Sequence, residues 1–201
     1  MQEASIPTNE KTFAVVLDEN VVVNAFNSIS NDTQIGKKTI MESFNQIENT
    51  SIGENCVVKS SKIIKSIIND NVNIGPNAHL RPNSLIKSRA KIGNFVEVKN
   101  SVVGEDSKVS HMSYIGDGTI GNNCNIGCGT IFCNYDGKNK NKTIIDDNVF
   151  IGSNVNLVAP IHIGKNAIVA AGSTLTKDVE KDALAIARAY QVNKPNYKRK
   201  E

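Results

Sequence analysis

The chain has 201 residues and a formal net charge of +3 at pH 7, and 39% of its residues are hydrophobic and 5% aromatic. This length suits one domain, and the mild charge with few aromatic side chains argues against a nucleic-acid-binding protein. No apolar stretch approaches the length of a membrane span, and the start of the sequence lacks the basic and apolar regions of a signal peptide. Composition therefore predicts a cytoplasmic protein with no nucleic-acid or membrane partner.

An aliphatic or aromatic residue recurs about every sixth position from Leu17 to Leu175. A period of six fits neither an α-helix, with about 3.6 residues per turn, nor a single strand, with a period of about 2. Hexapeptide repeats form parallel β-helices, in which three repeats complete a triangular coil of about 18 residues around stacked aliphatic side chains. The expected core positions are Leu17, Val23, Ile29, Ile35, Met41, Ile47, Ile52, Val58, Ile64, Ile68, Ile74, Leu80, Ile86, Ile92, Val98, Val103, Val109, Ile115, Ile120, Ile126, Phe132, Ile145, Ile151, Leu157, Ile163, Val169 and Leu175.

With three core positions to a coil, the pattern predicts an all-β solenoid of about nine coils. Glycine directly follows many core positions, and asparagine often comes two residues after the glycine. Because glycine and asparagine tolerate positive φ angles, both residues indicate tight corners between the sides of the coil. The asparagines in this position are Asn55, Asn77, Asn123, Asn154 and Asn166.

The pattern divides the chain into a leader or linker at residues 1–16, a β-helix domain at 17–177, and a C-terminal cap with a basic tail at 178–201. It breaks between Phe132 and Ile145, where CNYDGKNKNKTI predicts a loop that protrudes near residues 133–144. Loops on a rigid scaffold often carry function, although Asp136-Gly137 is also a common turn pair. After Asp178 the sequence predicts either a short helix or an added strand.

The sequence contains four cysteines, Cys56, Cys124, Cys128 and Cys133. In a cytosolic protein they are most simply reduced thiols. Cys124, Cys128 and Cys133 have the spacing C-x3-C-x4-C, but they lie inside the hexad pattern and lack a paired C-x2-C partner. No zinc site is therefore predicted.

Five segments between residues 70 and 190 are more distinctive than the hexad pattern: IGPNAHLRP (74–82), IGNFVEVKN (92–100), SHMSYIGDGTIGNNCNIGCGTIFCNYDGKNKNKT (110–143), VFIGSNVNLVAPIHIGKNAIVAAGSTLTKDV (149–179) and ALAIAR (183–188). In these segments the chain resembles the acetyltransferase half of the bacterial bifunctional glucosamine-1-phosphate acetyltransferase and N-acetylglucosamine-1-phosphate uridyltransferase family. The resemblance implies a left-handed parallel β-helix, a homotrimer with sites between subunits, and acetyl transfer from acetyl-CoA to glucosamine 1-phosphate without a metal. The product would serve UDP-N-acetylglucosamine and cell-envelope synthesis.

Acetyl transfer to an amine needs a base, and a phosphorylated acceptor needs cationic groups. Imidazole accepts protons near neutral pH, and His111 in SHMSYIGD corresponds to the family's proton acceptor. The resemblance assigns the remaining acceptor contacts to Arg81, Lys99, Tyr114, Asn125 and Lys140. Arg81 and Lys99 are one full coil apart, so the spacing alone predicts that they lie on the same face of the prism.

The resemblance also implies a set of acetyl-CoA contacts: Cys128, Asn134, Tyr135, Ser153, Ala171 and Arg188. Ser153 and Ala171 are again one coil apart, which suits a groove for an extended pantetheine arm. Cys128 departs from the family, which more often has alanine or another small residue there, and inert packing or chemical reactivity both remain open for its thiol. The tail KPNYKRKE is either a frayed terminus or a contact for CoA phosphates.

The bifunctional family begins with a nucleotide-binding α/β domain, and no glycine-rich phosphate loop precedes Leu17. We therefore expect neither uridyl transfer nor its magnesium requirement. Two other functions remain open, an acetyltransferase for a different sugar acceptor and a non-catalytic trimeric solenoid. A γ-class carbonic anhydrase would need three zinc-binding histidines, but His79, His111 and His162 lack the close spacing of that metal site.

Overall fold

The computed structural model describes residues 14–30 and 32–198, so most of the predicted leader lies outside the described residues. The chain winds into a prism whose sides are three parallel sheets of nine, ten and nine strands. No helix occurs in the described ranges, and their one antiparallel pairing is an isolated bridge between Tyr135 and Lys140. The predicted all-β parallel β-helix of about nine coils is confirmed.

The strands fall into three sheets, and successive strands from Val15 to Leu175 belong to successive sheets. The first sheet contains Val15–Leu17, Thr33–Ile35, Ser51–Ile52, Ser66–Ile68, Ser84–Ile86, Val102–Val103, Gly118–Ile120, Thr143–Ile145 and Ile161–Ile163. The second sheet contains Val22–Val23, Ile40–Met41, Val57–Val58, Asn73–Ile74, Lys91–Asn94, Lys108–His111, Asn125–Ile126, Phe150–Ile151, Ile168–Val169 and Leu184–Ala185. The third sheet contains Ser28–Ser30, Gln46–Glu48, Lys62–Ile64, His79–Leu80, Glu97–Lys99, Tyr114–Gly116, Ile131–Cys133, Asn156–Val158 and Thr174–Leu175.

The core is a set of aliphatic ladders that run along the axis of the prism. Val98, for example, pairs in register with Leu80 of the preceding coil and Ile115 of the following one, and all three side chains are fully buried. Each such side chain contributes about 1.5–3 kcal/mol by leaving water. Stacking between equivalent positions therefore holds every coil to its two neighbours, as expected for a solenoid.

Two parts of the predicted core are wrong. The buried residue in the strand Lys62–Ile64 is Ile63, whereas Ile64 is only half-buried, because Ile47 pairs in register with Ile63. At the first coil, Leu17 and Val23 are 50% and 40% exposed. No coil of the described residues covers the outer side of that first coil, so its inward positions stay accessible.

The corners use asparagine and glycine for different reasons. All five asparagines predicted at corners have positive φ angles, from 53° at Asn55 to 59° at Asn166, as expected for tight turns. Gly75 also has a positive φ, of 92°. At Gly152 the reason is space: a Cβ atom there would lie 2.5 Å from the backbone nitrogen of Ala171 in the next coil. Many glycines after core positions thus permit close approach of neighbouring coils, and positive φ is not their common property.

Two segments depart from the regular coils. Residues 133–144 protrude as predicted, in a loop closed by a hydrogen bond from Asn141 N to Asn134 O of 2.7 Å. At the C-terminal end the strand Leu184–Ala185 pairs with Ile168–Val169, so the structure contains the added strand and not the short helix. Among residues 14–30 and 32–198, no helix is long and apolar enough to cross a membrane.

Candidate active site

A row of side chains follows the corner where the second sheet ends. Asn94 and His111 are paired in register at the ends of their strands. The next three pairings, Val109 with Ile126, Ile126 with Ile151 and Ile151 with Val169, continue the same alignment. Each member of the row lies two residues after a core position. We call this set the corner row, and it consists of Asn94, His111, Cys128, Ser153 and Ala171.

Backbone hydrogen bonds hold the corner row together between coils. Asn154 N donates to Cys128 O at 2.7 Å, and Gly172 N donates to Ser153 O at 2.8 Å. At the far end, Ala187 N donates to Ser173 Oγ at 3.1 Å, which brings the following residue, Arg188, alongside this end of the row. One continuous corner therefore carries His111 and four of the six residues expected to contact acetyl-CoA.

His111 is exposed, and its ring is oriented by a neighbour that sequence analysis did not identify. Nδ1 of His111 lies 2.7 Å from Oδ1 of Asn94, one coil away. Because an amide oxygen only accepts hydrogen bonds, Nδ1 carries the hydrogen in this arrangement and Nε2 has the free lone pair. Nε2 is therefore the atom of His111 that can take a proton.

Three cations and two carboxylates lie where the strands of the third sheet end, away from the corner row. Leu80 pairs with Val98, so the following residues, Arg81 and Lys99, are neighbours on one face, as their spacing predicts. Arg81 Nη1 lies 2.9 Å from Glu97 Oε1, and the two side chains are partly exposed. Lys140 of the protruding loop interacts electrostatically with both Arg81 and Lys99. We call Arg81, Lys99 and Lys140 the cation cluster.

The two lysines of the cation cluster influence each other strongly. The hydrogen bond with Lys99 and its positive charge lower the pKa of Lys140. The pKa of Lys99 is raised by hydrogen bonding with Lys140 and by its contact with Asp117, which together outweigh burial. A site with two adjacent lysines and an arginine suits an anion, because a bound anion favours the charged form of both lysines.

Asp117 is the buried carboxylate beneath this cluster. Lys99 Nζ lies 3.2 Å from Asp117 Oδ2, and only 9% of the Asp117 side chain is exposed. Burial opposes ionisation of Asp117, but hydrogen bonds from Asn100, Lys99 and Asn134 outweigh it, so its pKa is lowered. The stability from these contacts is present above the unfolded-state pKa of about 3.9 and is lost as the pH falls through the lower native value.

Asn134 and Tyr114 connect the cation cluster to the base of the loop. Asn134 is 7% exposed, and its Nδ2 donates to Asp117 Oδ2 at 2.5 Å and lies 3.4 Å from the Tyr114 hydroxyl. The side-chain nitrogen of Asn134 is thus committed within the chain. Its backbone N–H donates to Phe132 O at 2.9 Å and its carbonyl oxygen accepts from Asn141 N at 2.7 Å, so Oδ1 is the group left for a ligand.

The protruding loop is organised by a single carboxylate. Asp136 Oδ1 accepts backbone hydrogen bonds from Lys138 N at 2.8 Å and Asn139 N at 2.6 Å, and Oδ2 accepts one from Asn141 Nδ2 at 3.0 Å. These donors, led by Asn139, lower the pKa of Asp136. Tyr135 is 62% exposed, and its hydroxyl donates to Gly137 O. Asp136 therefore fixes the conformation in which Lys140 reaches the cation cluster.

Replacing Asp136 with alanine is expected to raise the KM for a phosphorylated acceptor about fivefold and to change kcat little, because Lys140 then has to be ordered by the substrate. Steady-state kinetics with the acceptor varied would measure this. Asp182→Ala is the matched control, since Asp182 accepts one amide hydrogen bond from Asn166 far from the loop. Equal KM values in both variants would contradict this role for Asp136.

Asn125 is the one expected acceptor contact that does not lie near the other expected acceptor contacts within a single chain. It is exposed in the second sheet, where it pairs with Lys108 and Phe150. Lys99 and Tyr114 belong to the third sheet. Because the two sheets are different sides of the prism, Asn125 and the cation cluster face different directions in a single chain.

The histidines and cysteines give no metal-binding arrangement in the described part of the chain. His79 and His162 lie in the third and first sheets, away from the corner row, and no group of three or more metal-ligating side chains comes together there. Cys124 is buried with Sγ near the carbonyl oxygen of Asp146, whereas Cys128 belongs to the corner row. Burial raises the pKa of the Cys124 and Cys133 thiols.

Comparison with known proteins places this geometry in a family. The model of the GMPPB C-terminal domain matches residues 62–139, and that of the bacterial transferase hexapeptide, with six repeats, matches residues 142–177. The bifunctional protein GlmU of Carboxydothermus hydrogenoformans is 51% identical over 203 residues, which cover 98% of this chain. This chain belongs to the hexapeptide-repeat family of GlmU. The GlmU of Listeria monocytogenes is also 51% identical, over 91% of the chain.

The match to GlmU covers only part of those proteins. The chain spans 45% of the Carboxydothermus GlmU and 40% of the Listeria GlmU. Among solved structures, LpxA, a UDP-N-acetylglucosamine acyltransferase from Bacteroides fragilis 9343, has a TM-score of 0.71 and 22% identity, covering 81% of this chain and 70% of its own. This likeness supports the left-handed β-helix of the GlmU family as the fold.

Sequence analysis missed Asn94 and Asp117 as parts of this site. Asp117 was present in the motif SHMSYIGD, and Asn94 lies one coil before His111. The available signal was the coil length: any polar residue one coil from an expected site residue is its neighbour in a solenoid. With the 17-residue coil of this region, that rule would have selected Asn94 from His111. The register partner of Lys99 is Gly116, so the rule alone does not select Asp117.

Proposed function

We propose that this chain is an N-acetyltransferase that moves the acetyl group of acetyl-CoA to the 2-amino group of glucosamine 1-phosphate. The observation that carries the proposal is that the third sheet bears the cation cluster at one end of its strands and borders the corner row with His111 at the other. This arrangement offers an anion site and a proton acceptor on one side of the prism. The relatives named GlmU support the choice of acceptor and donor.

The cation cluster fits the phosphate of the acceptor. Arg81 offers a planar pair of donors and Lys99 and Lys140 offer point charges, the groups that recognise phosphate in proteins. Each charge-assisted hydrogen bond to phosphate contributes about 1.5–3 kcal/mol. Tyr114, which is half-buried beside this cluster, is placed to contact the sugar ring.

His111 acts as the general base on the amine. The neutral amine attacks the thioester carbon, a C–N bond forms, and the proton that the nitrogen loses passes to Nε2 of His111. Collapse of the tetrahedral intermediate breaks the C–S bond, and the leaving thiolate takes that proton to give CoA. Asn94 keeps Nε2 in the unprotonated tautomer at the start of each cycle, because its Oδ1 accepts from Nδ1.

Acetyl-CoA lies along the corner row in this proposal. Ser153 and Ala171 have small exposed side chains, and Gly152 brings two coils close together, so an extended pantetheine arm fits against the backbone. Cys128 lies between His111 and Ser153, nearest the thioester end. Tyr135 on the loop and Arg188 at the far end of the row provide further contacts, and Arg188 is suited to phosphate groups of CoA.

The complete site requires more than one copy of the chain. Asn125 faces away from the cation cluster within one prism, so a second copy has to present its second sheet for Asn125 to meet the acceptor. We propose a homotrimer with sites between subunits, since closed cyclic symmetry gives every copy the same two roles. We further propose that the protein acts in the cytoplasm.

The test is acceptor-dependent release of CoA from acetyl-CoA, measured by chromatography because thiol reagents would react with the chain's own cysteines. We expect glucosamine 1-phosphate to give at least about 100-fold higher kcat/KM than glucosamine, the effect of two charge-assisted contacts. Glucosamine 6-phosphate serves as a decoy. Equal rates with glucosamine would indicate another acceptor, and no stimulation by any acceptor would indicate a structural trimer.

A further inference from the structure

Asp117 makes contacts with residues of both proposed substrate sites. Its Oδ2 accepts from Lys99 Nζ at 3.2 Å and from Asn134 Nδ2 at 2.5 Å. Its Oδ1 accepts from Asn100 Nδ2 at 2.7 Å and lies 3.4 Å from Lys99 Nζ. Lys99 belongs to the cation cluster, and Asn134 begins the loop and belongs to the expected acetyl-CoA contacts. One carboxylate therefore joins a group for the acceptor to a group for the donor.

The backbone around Asp117 also fixes its position, in addition to its side-chain contacts. Its backbone has a positive φ of 53° at the corner between the third and first sheets, and its N–H donates to Lys99 O at 3.0 Å. The following residue, Gly118, packs so closely on the buried ring of Phe132 that a Cβ atom there would lie 2.6 Å from it. A carboxylate held this rigidly transmits its position to the side chains that it binds.

The contacts of Asp117 also differ from a surface ion pair. Its side chain is 9% exposed and that of Lys99 is 19% exposed, so removal of the carboxylate leaves a partly buried ammonium group without a partner. Loss of one member of a buried pair is far more costly than loss of an exposed one. By comparison, Asp106 binds the guanidinium of Arg89, where the two side chains are 41% and 51% exposed.

We propose that Asp117 is a positioning residue that holds Lys99 and Asn134 in their working positions and so couples the acceptor phosphate site to the acetyl-CoA site. This inference rests on the proposed function. Asp117 does not touch either substrate in this proposal; it acts through Lys99 on the acceptor side and through Asn134 and the loop base on the donor side. Its removal should therefore weaken binding of both substrates together.

The decisive variant is Asp117→Asn, which keeps the size of the side chain. Both oxygens of Asp117 accept hydrogen bonds, so either orientation of the new amide sets an N–H against an N–H donor of a neighbour. We expect the KM for glucosamine 1-phosphate and the KM for acetyl-CoA each to rise about tenfold, with kcat changed less than threefold. Asp106→Asn, the matched control, should leave both KM values within about twofold. A rise in only one KM, or a lower melting temperature with both KM values unchanged, would overturn the proposal.

If Asp117→Asn does not fold, two other single variants test the coupling, each by its effect on the substrate that the altered residue does not contact. Lys99→Met removes the ammonium group of the acceptor site, and it should also raise the acetyl-CoA KM about threefold because Asp117 loses one of the donors that hold it. Asn134→Ala should likewise raise the glucosamine 1-phosphate KM about threefold. Effects confined to each residue's own substrate would show that Asp117 transmits nothing between the sites.

Binding measurements separate this proposal from the proposed function. Calorimetry with CoA alone, and with inorganic phosphate alone, reports on the two sites without turnover. If the protein proves inactive towards glucosamine 1-phosphate, the proposed function fails, and the coupling still requires Asp117→Asn to weaken both CoA and phosphate about tenfold. If turnover with glucosamine 1-phosphate is normal but Asp117→Asn binds both probes like the unchanged protein, the coupling alone fails.

Discussion

His111→Ala is expected to lower kcat for acetyl transfer by about 1,000-fold, within the 10²- to 10⁴-fold range typical of a lost general base. The KM values should change little, because Nε2 acts on the transferring proton and not on the phosphate or the pantetheine. His162→Ala is the matched control: His162 is also an exposed imidazole with a polar partner, Asp146 Oδ1 at 2.9 Å, but it lies in the first sheet.

The pH dependence of kcat/KM provides a second readout for the same variant. With His111 present, the pH profile should include the contribution of a general base on the protein, which the variant lacks. In His111→Ala the residual rate should instead follow deprotonation of the acceptor amine. Retention of more than about a tenth of kcat in His111→Ala, or an equal loss in His162→Ala, would exclude His111 as the base.

Phe132→Ala should destabilise the protein by about 3–5 kcal/mol, the usual cost of removing a large aromatic side chain from a closed core. Phe132 is fully buried, and its ring packs against Gly118 at the coil that precedes the loop. Tyr190→Ala is the control, since Tyr190 is 99% exposed and its removal should change stability by less than about 0.5 kcal/mol.

Thermal unfolding followed by circular dichroism would measure both variants at one protein concentration, because association affects the apparent melting temperature. The cavity left by Phe132 lies against Gly118, the residue that follows Asp117. Binding of CoA should therefore also weaken in Phe132→Ala below its melting temperature. A melting temperature close to that of the unchanged protein would contradict the role of Phe132 as the main packing residue of that coil.

The fold was accessible from the sequence because the hexad pattern is both local and repeated. Where it was misread, the sequence was ambiguous: Ile63 and Ile64 are adjacent and equally apolar, and only pairing with Ile47 decides which one points inward. The exposure of Leu17 and Val23 has a different cause, since burial at the end of a solenoid depends on what covers the end and not on the residue itself.

The site was less accessible than the fold. The position of Arg81 beside Lys99 followed from coil length, but the importance of Asp117 arises from its burial and from three donors that converge on it from neighbouring coils and from the loop. Neither property has a signature in a single sequence. The roles of the acceptor and donor contacts remain predictions, and the Asn134 side chain in particular is more engaged within the chain than a ligand contact would suggest.

The corner row also determines which insertions and deletions this molecule tolerates. Each coil contacts only the coils before and after it, so an insertion of one whole coil would lengthen the prism by about 4.8 Å and leave every side chain on its original face. An insertion of six residues between His111 and Ser153 would turn all later positions by one side, and Ser153 and Ala171 would leave the corner that holds His111. The position of a residue is therefore defined by a side of the prism and by a coil. Only an insertion or deletion of complete coils keeps the later residues on their original side.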